Sequence, residues 1–158
     1  MTTKVLEKTE IKTTWEITEI QKLTAKAFTN NMMATMGILR KQGEEAMKEF
    51  QAATRAPMIT YYKELGVKTP IELAKAKAEY ETNLFGSKIE IHGDEKEAHV
   101  KYLNCAIWDN MKCGMSKEQE QEMGMCFAAC VSAFAEEFGF TGEVKFENEI
   151  ATVTFKTK

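Results

Sequence analysis

Proline and arginine each occur only twice in 158 residues, and no apolar run approaches the roughly 18 residues of a membrane span. So little proline, with 44% hydrophobic and 28% charged residues, excludes a disordered chain. The two arginines, Arg40 and Arg55, stand apart, and no Lys/Arg cluster has interleaved aromatics, so a nucleic-acid partner is not expected. A glycine-rich phosphate loop, an H-E-x-x-H helix, a Ser-His-Asp signature and a paired-carboxylate motif are all missing, which disfavours ATP, NAD and zinc-protease chemistry. The start MTTKVLEKTE is too polar for a signal peptide. A cytoplasmic protein with no membrane partner is expected.

What is present is sufficient for one domain over residues 1–158, with a helical layer at 15–86 and a ββαββ portion at 87–158. Size scaling gives a folded surface of roughly 8,000 Å² against roughly 26,000 Å² unfolded, so about 69% should be buried. Net charge is −3 and uneven: residues 1–86 carry 13 basic and 11 acidic groups, residues 87–158 carry 8 and 13.

From Glu16 the apolar positions Ile17, Ile20, Leu23, Ala27, Phe28 and Met32 recur at helical spacing and predict a buried stripe. A second helix from Lys41 or Gly43 presents Met47, Phe50, Met58, Tyr61, Tyr62 and Leu65, with Pro57 expected to kink or break it after Ala56 and Gly66 to cap it. Thr69, Pro70 and Glu72 form a capping box with proline at the first helical position, and Gly86 ends that third helix. Beyond Gly86 the period changes to two. Ile89 and Ile91 mark one strand and His99 to Asn104 the next, with Val100 and Tyr102 on one side. Ser116 and Gln119 cap a helix running to about Phe138. Strands at Glu143–Phe146 and Ala151–Phe155, turning through Asn148, close the chain. The class is α+β, with N-terminal helices packed on a small antiparallel sheet.

All four cysteines fall between Cys105 and Cys130. Cys105 ends a strand, Cys113 follows in a connection, and Cys126 and Cys130 lie one turn apart on the flank of an aromatic helical stripe, where a packed core meets a cleft. Three readings stay open: inert core thiols, a thiol-based site, and a zinc or iron–sulfur site made by Cys105, Cys113, Cys126 and Cys130. The spacing C-x₇-C-x₁₂-C-x₃-C lacks the tight knuckle of a structural zinc site, so a cage requires the strand end to abut the helix. His92 and His99 are further candidate ligands but read more simply as surface residues. For nucleophilic chemistry Cys105 is the first candidate, with Cys126 nearby and Asp109 or Glu137 as base or orienting group. Ten methionines, several beside the cysteines, suit a core filler or a pocket for an apolar ligand. Trp15 is placed to dock onto a second subunit, and a homodimer is the favoured assembly.

The run HVKYLNCAIWDNMKCGMSKEQEQEMGMCFAACVSAFAEEFGF, followed by EVKFENEIATVTF, resembles the L-2-amino-thiazoline-4-carboxylic acid hydrolase-like family over residues 88–158. The resemblance implies a small-molecule hydrolase that opens a thiazoline-type or cyclic amidine ring. It places Cys105 at the family's strand-end cysteine and Cys126 at the one on the following helix. Ala106 stands where the family typically has proline, and Val153 where many relatives have cysteine. The alternative is a non-enzymatic binding or sensor protein holding an apolar ligand, a metal or an iron–sulfur cofactor.

Overall fold

The computed structural model describes residues 12–147 and 150–158. The polar start and Asn148, the expected turn residue, lie outside the described residues. The chain is α+β, in the order α1 (Ile17–Leu39), α2 (Glu44–Glu64), α3 (Pro70–Phe85), β1 (Lys88–Gly93), β2 (Glu97–Asn104), α4 (Ala106–Met111), α5 (Lys117–Glu136), β3 (Phe140–Glu147) and β4 (Ile150–Thr157). Among the described residues no helix is long and apolar enough to cross a membrane.

Local chemistry sets most helix starts. Thr69 Oγ1 accepts the Glu72 N–H while the Glu72 carboxylate accepts the Thr69 N–H, and Pro70 follows the cap. Ser116 and Gln119 make the same reciprocal pair for α5. Gly86 ends α3 at φ +72°, a left-handed turn that glycine enters without Cβ strain.

The four strands form one antiparallel sheet in the order β1-β2-β4-β3. Ala98, Val100 and Tyr102 of β2 and Val153 and Phe155 of β4 turn inward, where Leu73 and Ala74 of α3 and Val131, Phe134 and Ala135 of α5 cover them. The other face carries polar residues, including His99, whose imidazole stacks on His92 with centroids 4.7 Å apart and bonds Thr154 and Glu97. Both histidines therefore sit on the outer face of the sheet.

Three expectations need correction. The stripe Ile17, Ile20, Leu23, Ala27, Phe28 on α1 is exposed; the helix buries Ala25, Thr29 and Met36 instead, because its neighbours α3 and α4 lie on that side. Helix α2 runs unbroken through Pro57. The roughly 3 kcal/mol cost of an interior proline is offset as Met58, Ile59 and Tyr62 pack on the core. Finally, the connection expected over Asn110–Met115 starts two residues later, because Asn110 and Met111 end a short helix α4 capped by Cys105 itself.

Candidate functional site

Cys105 stands at the end of β2 with its thiol turned into the fold. Its Sγ accepts the Trp108 N–H at 3.5 Å as the N-cap of α4, and the buried Ser87 Oγ accepts the Ala106 N–H at 3.1 Å. Burial pushes the Cys105 thiol up to about 11, and the nearby Glu81 carboxylate adds to the shift against the opposing Trp108 N–H and Lys77. At neutral pH the sulfur keeps its proton, the unreactive form for nucleophilic attack.

A buried polar network lies beside it. Lys77, on the covered face of α3, pairs with Glu81 one turn later at 2.5 Å, and Tyr102 donates to the same carboxylate at 2.9 Å. Tyr62 is fully buried beside this group, edge-on to Tyr80 and Phe134, and its hydroxyl has no hydrogen-bond partner among the described residues. Burial first, then the Glu81 charge, holds both the Tyr62 and Tyr102 hydroxyls above their ordinary range. The signal for this network was local: Lys77 and Glu81 continue the buried line of Leu73 at intervals of one helical turn.

The two tyrosines predict opposite substitutions. Tyr62→Phe removes an unpaired buried hydroxyl and is expected to stabilise by about 1 kcal/mol, whereas Tyr102→Phe strips a charge-assisted bond and should cost about 1.5–3 kcal/mol. Denaturant unfolding at pH 7 checks the signs. Cys105 and both tyrosines keep protons in the fold that the unfolded chain releases more easily. Stability from the thiol is therefore complete below pH 9 and falls as pH rises toward about 11.

Cys126 has a different setting. It lines a partly open cavity of about 240 Å³ where the end of α1, the start of α2 and the middle of α5 meet, with Met36, Arg40, Gly43, Glu44, Met47 and Glu122. Arg40 pairs with Glu122 at 3.3 Å and reaches the Met123 sulfur at 4.0 Å. Burial and the neighbouring Glu122 raise the Cys126 thiol, against the opposing Arg40 charge. One turn on, the Arg55 guanidinium donates to Cys130 Sγ at 3.7 Å. Both arginines of the chain thus reach α5 around its two cysteines, and their scarcity was the overlooked signal. Behind the cavity Met36, Met111 and Met123 are buried together, flanked by Met32, Met33, Met47, Met115, Phe50 and Trp108.

The expected residues divide accordingly. Cys105 packs against the main core, Cys126 faces the cavity, Cys113 is exposed after α4, and Cys130 is half-buried beside Arg55. Asp109 is exposed on α4, accepting from Asn104 and pairing with Lys112 at 3.3 Å. Glu137 pairs with Lys63 at 3.5 Å on the surface. As for the four-thiol cage of Cys105, Cys113, Cys126 and Cys130, all four are free, and among the described residues no three His, Cys, Asp or Glu side chains gather to hold a metal. The strand end caps α4. The chain matches no protein-family model and no curated protein.

Proposed function

We propose that this protein is a cytoplasmic, non-enzymatic binding or sensor module that holds a small, largely apolar ligand in the cavity between α1, α2 and α5. The observation that carries the reading is Cys126 facing that cavity with the Met36 and Met47 thioethers, while Cys105 is partly buried against the main core and keeps its proton. Thioethers adapt to apolar ligands of irregular shape. Arg40, Glu44 and Glu122 give the lining a net charge of −1, so the polar end of the ligand is a cation or a hydrogen-bond donor. A volume of about 240 Å³ restricts it to a compact molecule. The four free thiols accord with a reducing compartment.

Titration with three probes of one shape tests this, followed by the fluorescence of Trp108 in the methionine cluster. Benzylamine is expected to bind at least tenfold, about 1.4 kcal/mol, more tightly than benzoate, with benzyl alcohol between them. Glu122→Gln should narrow that gap, and Cys105→Ser should leave it unchanged. Tightest binding of benzoate, or no binding of any probe, would reject the reading.

The hydrolase reading suggested by the resemblance is favoured by one feature: Cys105 caps a helix N-terminus near Lys77, and both groups oppose the rise of its pKa. It requires Cys105→Ser to abolish ring opening of a thiazoline substrate while the fold persists.

A further inference from the structure

We propose that a second copy of this chain docks antiparallel along the outer face of α1, forming a two-fold dimer. The surface area calls for a partner. A folded chain of this mass should expose about 8,000 Å², whereas this one exposes 11137 Å². Discounting residues 1–11 at their full unfolded allotment of about 1,800 Å² still leaves an excess of about 1,300 Å². A stable interface takes about 800 Å² from each partner.

The outer face of α1 shows where that area belongs. Ile20, Leu23, Ala27, Asn30, Ala34 and Gly37 alternate at steps of three and four residues, the spacing of a helix–helix seam, and all six are exposed. Ile17, at 71% exposure, and Ile38, at 60%, border it. Glu16, the extended N-cap residue, and Lys41, two residues past the end of α1, flank the seam, and neither side chain makes an ion pair with another described residue.

This pattern reads the same in both directions, so the seam meets its own reverse. Antiparallel docking sets Ile20 of one copy over Gly37 of the other, Leu23 over Ala34, Ala27 over Asn30 and Glu16 against Lys41. Each large side chain meets a small one, and nothing lies within 4 Å of where a Cβ on Gly37 would stand, so the space for Ile20 is open. A parallel pair would set Glu16 against Glu16 and glycine against glycine. The symmetric arrangement is isologous and closed, with each contact made twice.

Sedimentation equilibrium of the full chain tests the proposal. The wild type is expected at twice its 17.9 kDa mass at micromolar concentration. Ala27→Glu, a substitution at an exposed position, should raise the dissociation constant at least tenfold with unchanged circular dichroism. Glu16→Lys and Lys41→Glu should each weaken the dimer, and the double variant should restore it, because the charges exchange only in the antiparallel register. A monomeric wild type, a dimer indifferent to Ala27→Glu, or a double variant no tighter than the singles would each overturn the proposal.

Discussion

Lys77→Met is expected to remove about 3–5 kcal/mol of stability, measured as a shift in the midpoint of urea unfolding with an unchanged slope. The Lys77 and Glu81 side chains are only 9% and 13% exposed, so deleting the ammonium leaves a carboxylate inside the fold with Tyr102 as its remaining partner. Attraction between the pair offsets their desolvation but adds little beyond it, so their separate and joint removal differ. The double variant Lys77→Met with Glu81→Leu should recover most of the loss, apart from the Tyr102 hydroxyl left unpaired. If the single variant costs under about 1 kcal/mol, the pair is not the buried charge couple that its geometry indicates.

The second large effect is expected at Gly142, where α5 lies directly on β3. A Cβ there would stand 2.7 Å from the Val131 carbonyl oxygen and 2.8 Å from the Ala135 Cβ. Neither obstacle is the end of a flexible side chain, so relief requires the helix to lift from the sheet. Gly142→Ala is expected to cost about 3 kcal/mol, at the upper end of overpacking penalties. Because α5 carries Cys126, the same lift should loosen the proposed ligand cavity. Thermal unfolding and probe affinity measured on one preparation check both consequences; an unchanged melting temperature would show that the contact yields without strain.

How far the fold could be read from residues depended on the range of the forces involved. The capping boxes at Thr69 and Ser116 and the alternation of Val100 and Tyr102 involve neighbours a few residues apart, and they were legible. Periodicity on α1 identified an apolar face but not whether anything covers it. That depends on α3 and α4, which meet the helix on the side of Ala25, Thr29 and Met36. Pro57 marked a break that tertiary packing overrides. The cysteine window drew attention to four thiols as a group, yet Cys105 packs on the main core and Cys126 lines the cavity, a division that spacing along the chain does not encode. Lys77 and Glu81 share one face of α3, but Tyr102 joins them from β2, and Arg40 and Glu122 meet at the cavity from segments far apart in the chain.

The sheet has two free borders, β1 and β3, and their solvent-facing positions carry Lys88, Glu90 and His92 on one and Glu143, Lys145 and Glu147 on the other. Pairing a further strand on either border would strip these charged side chains of their hydration, which discourages fibre-type growth. The dimer proposed along α1 would use a helix face instead, and its closed two-fold symmetry would give particles of finite size rather than open-ended polymers.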